Sequence, residues 1–288
     1  MSDSARLDDA SAALRALVSY TGKLSHQHLY PDRVMHRSGK GCQLQCAYCF
    51  ADFRSFQSSS GQGAVQAETT GDFVILYPTC DSEFQGDRQA RTEIERIILH
   101  TDRKVCISIS TKAVVTPTLA RNLAEWNAKL TEEGRGLVKY SLSITSKNHI
   151  ADLEPFASTY AGRIASLQEL AARGVPTSVN FKPVLPMVPV DEYGEIVEDV
   201  SPYCTKFLTG GLYLDLSTPF GAEIEQRYRH FVTPRRVEWL KDDTIWPYCE
   251  DPRQIEDIST EIVSRGGSAF TSDVDLVNAL LEPSRMRS

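Results

Sequence analysis

Three cysteines stand within eight residues. Cys42, Cys46 and Cys49, in the run SGKGCQLQCAYCFAD, have the spacing C-x3-C-x2-C. Thiolates are soft ligands that suit zinc or iron–sulfur centres. Structural zinc usually takes four ligands in two separated pairs, and the sequence has no second C-x2-C pair. Three sulfurs instead leave one iron of a 4Fe–4S cluster open, and an open metal position can take substrate or cofactor. The other four cysteines, Cys80, Cys106, Cys204 and Cys249, are dispersed. An odd total of seven in a long chain argues against a disulfide framework. Cys106 lies in an apolar run and reads as core. His26, His28, His36, His100, His149 and His230 show no zinc spacing.

The surrounding elements must hold that loop. Residues 1–33 read as an N-terminal extension, and the Ser/Gly/Gln-rich stretch 55–71 as a loop. From residue 72 onward strands and helices alternate. FVILY (73–77) is a short, continuous apolar run of the kind a parallel strand buried on both faces requires. Ala90, Ile94, Ile97 and Ile98 then mark one face of a helix. Further strands are expected at 105–109, 138–144, 177–184 and 212–216, with helices at 116–130, around Ile164–Leu167–Leu170, and at 191–203. This rhythm predicts right-handed βαβ units on a parallel sheet. With a strand at 33–38 it makes about six units, a partial (β/α)6 TIM-type barrel over 34–216. Residues 217–288 read as a mostly helical C-terminal region, with helices at 223–231, 234–240, 255–264 and 274–281.

The whole chain has 288 residues, 41% of them hydrophobic, enough for a sizeable core. Its net charge of −7 favours a small-molecule partner over duplex nucleic acid. No run of 18 apolar residues occurs and the first residues are acidic, so neither a spanning helix nor a secretory signal is expected, and the expected location is cytoplasmic.

The cysteine spacing, with the aromatic Tyr48 before the third cysteine, resembles the signature of the radical S-adenosylmethionine (radical SAM) superfamily. Within it the chain is similar to the spore photoproduct lyase-like branch over roughly 38–200. The similarity rests on TCDSEFQGD (79–87), STKA (110–113), and the stretch 141–186 with Leu153-Glu154-Pro155, Arg163 and Gly174-Val175-Pro176. The resemblance implies a 4Fe–4S cluster on Cys42, Cys46 and Cys49 whose open iron chelates SAM. It also implies reductive cleavage to a 5′-deoxyadenosyl radical, hydrogen abstraction from the substrate, and an electron donor such as flavodoxin or ferredoxin. The lyases use a cysteine hydrogen donor near the end of the second strand. Pro78 stands there, with Cys80 two residues on, so Cys80 is the candidate catalytic thiol or a residue of the cofactor turn.

SAM presents a carboxylate, an ammonium, a ribose diol and an adenine. Asp81 can accept from the ammonium and Lys112 can neutralise the carboxylate. Ser143 can bond the carboxylate or ribose, and Glu154 and Arg163 can complete a polar shell or pair on the surface. Tyr48 and Phe50 can pack near the adenine. All sit at C-terminal strand ends or the loops that follow, where barrel sites are built. Asn180 and Lys182 share one strand face by period two, and Lys182 facing inward would need an anion. Tyr213 and Asp215 repeat that spacing as further substrate candidates. The resulting expectation is a radical SAM enzyme acting on a small polar substrate: a nucleoside, a sugar or a specialised-metabolite precursor. Nucleic-acid repair or modification by the same chemistry, and a non-catalytic iron–sulfur or zinc protein, are the alternatives.

Overall fold

The structure, a computed structural model, describes residues 33–37, 44–49, 73–79, 104–237 and 244–285, together with Thr92, Ile94, Glu95 and Ile98. Cys42, Phe50, Cys80 and Asp81 lie outside the described residues.

The apolar runs form a parallel sheet: β1 (Arg33–Arg37), β2 (Phe73–Thr79), β3 (Lys104–Thr111), β4 (Gly136–Ser143), β5 (Thr177–Asn180) and β6 (Lys206–Leu208). A seventh strand joins it, so that, numbered by chain position, the order is β1-β2-β3-β4-β5-β6-β10, with β10 at Ser268–Phe270. Every pairing in this sheet is parallel. The helices between the strands form where the periodicity places them. α1 (Pro117–Glu132) starts at Thr116, whose side chain accepts from the Leu119 amide, with Pro117 in the first turn, where its missing N–H costs nothing. It buries Leu119, Leu123, Trp126 and Leu130. α2 (Ile150–Leu153) is one short turn, α3 (Tyr160–Ala172) buries Leu167 and Leu170, and α4 is Val190–Val200. Ile94 and Ile98 are buried, as the helical face around 90–98 requires.

Strand β4, GLVKYSLS, separates two environments by period two. Val138, Tyr140 and Leu142 join the large core with α1 and α3. The opposite face carries Leu137, Lys139, Ser141 and Ser143. At the bottom of that face, Leu137 and Cys106 pack against Val277 and Leu281 of the last helix, α7 (Asp273–Arg285). Gly136, at φ +127°, begins β4 where a Cβ would sit 1.9 Å from the Val105 carbonyl oxygen, so only glycine allows this approach.

Three expectations are corrected. The sixth strand of the parallel sheet is Lys206–Leu208, not 212–216. At Gly211 a Cβ would meet the Cys249 carbonyl at 2.4 Å, and there the chain enters a separate antiparallel sheet of order β7-β9-β8. Its strands are β7 (Leu212–Tyr213), β8 (Val232–Arg236) and β9 (Ile245–Cys249). After 216, helices still make up most of the described residues, but three strands are interleaved with them. Pro234 lies in β8 instead of starting a helix, and an edge strand tolerates its missing N–H. The remaining segments there are α5 (Pro219–Arg227), α6 (Pro252–Ser264), α7 and β10, and β10 completes the parallel sheet from within the region expected to be a helical addition. Strand β5 ends at Asn180, short of the expected 184, and a cis Lys182–Pro183 bond follows.

Candidate functional site

The described part of the cysteine loop is a turn. The Cys49 amide donates to the Cys46 carbonyl at 3.0 Å, and Gln45 takes φ +48°. Cys46 is buried and Cys49 half-buried, and neither is in a disulfide. The loop is docked by its backbone, since the Ala47 amide donates to the Leu153 carbonyl at 2.8 Å.

Tyr48 provides the second attachment. Its side chain turns into the protein, and its hydroxyl donates to Glu154 Oε1 in a short contact and lies 3.3 Å from Thr145 Oγ1. Thr145 also donates to that carboxylate oxygen at 2.8 Å. The other oxygen, Oε2, takes Arg163 Nη2 in a close ion pair whose two side chains are wholly buried. Arg163 Nη1 donates to the Ser143 carbonyl at 2.8 Å, Nη2 to the Ser158 carbonyl at 3.0 Å, and Nε to Ser158 Oγ at 3.3 Å. Ser158 in turn donates its amide to the Lys112 carbonyl at 3.2 Å, and its hydroxyl donates to the same oxygen. The Lys112 ammonium stands 5.6 Å above the centre of the Tyr48 ring.

Burial raises the Glu154 carboxyl, but the Lys112 and Arg163 cations and the Tyr48 hydrogen bond outweigh it, holding the group below the usual carboxylate range. Burial pushes the Tyr48 phenol well above its ordinary value. Lys112 opposes that shift and Glu154 adds to it.

These contacts redefine several candidate residues. Glu154 and Arg163 form no surface pair. Their polar atoms are engaged by the protein itself, which makes them supports of the loop and removes the basis for a direct polar shell around a cofactor. Tyr48 likewise uses its hydroxyl inward, and one side of its ring meets Phe220 at 6.4 Å. Lys112 is half-buried at the end of β3, where an anion can reach it. The Ser143 hydroxyl is bonded to none of the described residues, while its carbonyl holds Arg163. Asn180 Oδ1 accepts from the Lys182 amide at 2.8 Å, closing the turn after β5. Lys182 is exposed, with its ammonium 3.4 Å from the Thr271 carbonyl, because the strand has already ended and period two no longer points it inward. The Tyr213 ring packs against Tyr248 in the antiparallel sheet, the two centroids 4.8 Å apart and the planes tilted by 59°. Asp215 Oδ1 accepts from the Ser217 amide at 3.0 Å in the turn before α5. Both still reach the site from another side, since Tyr213, Asp215, Thr218 and Phe220 border a narrow space with Tyr48 and Cys49.

The inward lysine is Lys139. It is wholly buried on the face of β4 opposite α1 and α3, and donates to Ser141 Oγ at 2.9 Å, Ser178 Oγ at 3.4 Å and Asp273 Oδ1 at 2.9 Å. Beside it the buried Ser108 hydroxyl has no partner among the described residues. The strict alternation Leu137-Lys139-Ser141-Ser143 carried this signal in the sequence.

The residues present fit a thiolate-ligated cluster with a carboxylate-bearing cofactor beside it. Two thiols outside any disulfide share one turn, the turn is fixed at the C-terminal ends of β3 and β4, and Lys112 is the adjacent cation. Among the described residues no third donor joins Cys46 and Cys49, and Cys42 lies outside them.

No family model matches the chain, and no curated protein does. Solved structures do. A spore photoproduct lyase variant superposes with a TM-score of 0.59 at 15% identity, covering 94% of this chain and 85% of its own. The chain has the spore photoproduct lyase fold. A second lyase variant, with bound AdoMet and dinucleoside spore photoproduct, matches at TM-score 0.55 and 16% identity over 94% of this chain and 85% of that one. The radical S-adenosylmethionine methyltransferase TsrM from Kitasatospora setae, with cobalamin and [4Fe-4S] cluster bound, matches at TM-score 0.50 and 13% identity, over 89% of this chain and 61% of that one. What this chain shares with these structures is the fold, built here on the parallel sheet and its flanking helices. No helix among the described residues is long and apolar enough to cross a membrane.

Proposed function

We propose that the protein is a radical SAM enzyme acting on a small polar substrate. The observation that carries this reading is the placement of the cysteine turn. It is anchored by Ala47 and Tyr48 to the rim of the sheet, beside Lys112, within the fold of radical SAM structures. Cys42, Cys46 and Cys49 would hold a 4Fe–4S cluster, and Lys112 and Asp81 the carboxylate and ammonium of SAM. Bound there, the cluster and SAM would supply radical chemistry that begins with one-electron reduction of the sulfonium.

The chain's own part is placement and exclusion of water. Lys112 is half-buried, where its charge would be worth more to the cofactor carboxylate than in bulk solvent. Phe220 and Tyr48 close the space next to Cys49. Ser143 offers its hydroxyl toward the ribose or carboxylate. Serines, Asn180 and Lys139 line the inner face of β3, β4 and β5, where barrels are ordinarily filled by Val, Ile and Leu, which favours a hydroxyl- or amide-bearing substrate over a lipid. Cys80, two residues past the lyase donor position, is assigned as hydrogen donor to the product radical. The electron comes from a carrier such as flavodoxin or ferredoxin.

The deciding experiment is anaerobic incubation of iron–sulfur-reconstituted protein with SAM and dithionite. Formation of 5′-deoxyadenosine and methionine supports the proposal, and intact SAM after reduction of a full cluster overturns it. For Cys80, product made in deuterated buffer should gain one solvent deuterium, and Cys80→Ala should cleave SAM yet lose or divert product. Normal product at a normal rate from that variant would make the thiol structural.

A further inference from the structure

Resting on that cofactor reading, we propose that Arg163 and Glu154 form a spacing hub that sets the distance between the cysteine loop and the Lys112 arm, so that one buried ion pair presents cluster and cofactor carboxylate to each other. They are positioning residues and touch neither cofactor nor substrate.

Three separate segments must keep a fixed geometry for one ligand to bridge a metal and a cation: the cysteine loop, the end of β3 and the end of β4. Arg163 reaches all three. It holds the β4 exit directly through the Ser143 carbonyl. It holds the β3 exit through Ser158, whose amide and hydroxyl both donate to the Lys112 carbonyl. It holds the cysteine loop through Glu154, whose second oxygen accepts from Tyr48, the residue that precedes Cys49. A guanidinium suits this task because its donors lie in a rigid planar fork, and a lysine ammonium, with three donors, cannot serve four acceptors in that plane. Two wholly buried charges in a chain of this size call for an account, because a buried ion pair stabilises little compared with an apolar pair of the same volume. Geometric specification supplies that account. Outer-shell partners of this type are worth on the order of 10–100-fold in affinity or activity at metal sites.

Two variants test the hub. Arg163→Lys keeps the charge and loses the fork; Tyr48→Phe keeps the ring and loses the tether. Hydrogen exchange on metal-free protein reads the loop without any cofactor. Peptides covering 44–49 should exchange on the order of tenfold faster in both variants, because the Ala47 amide opens more often. In reconstituted protein with iron content and circular dichroism close to wild type, SAM affinity per cluster, titrated by its effect on the reduced cluster's EPR signal, should fall on the order of 10–100-fold. Wild-type exchange and wild-type SAM affinity in both variants would overturn the hub. So would lost iron or lost fold with unchanged SAM affinity per remaining cluster, since that marks a purely structural pair. If wild-type protein itself bound no cluster or no SAM, the cofactor reading would fall, and the exchange comparison would still decide whether Arg163 and Tyr48 set the loop.

Discussion

Replacing Arg163 by methionine removes a guanidinium that is wholly buried and makes four contacts, to Glu154, Ser143, and both the carbonyl and the hydroxyl of Ser158. Methionine fills much of the volume, so the cavity contribution is small. What remains is a buried carboxylate without its ion-pair partner, and two main-chain carbonyls without their donor. Breaking a buried pair from one side costs about 3–5 kcal/mol. The Glu154 carboxyl sits below the usual range because its cations and the Tyr48 hydrogen bond overcome its burial, and with Arg163 gone Lys112 is the one of those two cations left to oppose it. Part of the loss should therefore return when the second charge is also removed. Arg163→Met with Glu154→Gln should be more stable than the sum of the single changes by about 1–3 kcal/mol. The glutamine side chain in the double variant would keep an amide oxygen for Tyr48 and Thr145. Urea denaturation followed by far-ultraviolet circular dichroism measures all four members of the cycle. A single-variant loss below about 1 kcal/mol, the level of exposed pairs, or strict additivity, would refute the claim that the pair is buried and coupled.

Lys139→Met should release the last helix: the lysine is buried and its partner Asp273 begins α7, so the loss should fall near the lower end of the roughly 3–5 kcal/mol for a broken buried pair. Limited proteolysis should then cut within 273–285, and protection equal to wild type would show that the pair does not hold the helix. The thiols should sort by environment. Burial pushes Cys106 and Cys249 up to about 12 and raises Cys204, so at pH 8 only on the order of one in ten thousand of either of the first two is thiolate. Iodoacetamide on native metal-free protein should leave all three unlabelled while reaching the half-buried Cys49, and early labelling of Cys106 or Cys249 would contradict their placement. Lys112→Ala should retain the cluster and weaken SAM by roughly 2–5 kcal/mol, the cost of leaving a partly buried anion unpaired. Unchanged calorimetric affinity would move the carboxylate elsewhere.

Much of this was legible in the residues because each signal was local. The apolar runs of β2, β3 and β4 and the Thr116-Pro117 start of α1 specify their elements without help from the rest of the chain. The C-terminal third was not, because its strands are short and depend for their pairing on distant partners. LYLDL alternates well enough to read as a barrel strand, but Gly211 lets the chain pass against Cys249 and pair with β9 instead. In PRR the proline suggests a helix start, and only the edge position of β8 makes it a strand. At the site, the residue types point to the neighbourhood but not to the partners of Glu154 and Arg163. Glu154 and Arg163 are nine residues apart and could equally have met on the surface. Their burial depends on Tyr48, more than a hundred residues earlier. Period two places an inward lysine at 182, where the strand has already ended, while Lys139 lies in an eight-residue strand whose alternation is complete.

The central claim is a thiolate-held cluster at the anchored turn, and iron content tests it most directly. Anaerobically reconstituted protein should carry about four irons per chain with a sulfur-to-iron charge-transfer absorption. Replacing Cys42, Cys46 or Cys49 singly by alanine should abolish both while far-ultraviolet circular dichroism stays close to wild type. One zinc per chain with no such absorption, or iron retained after loss of any of the three cysteines, would contradict it.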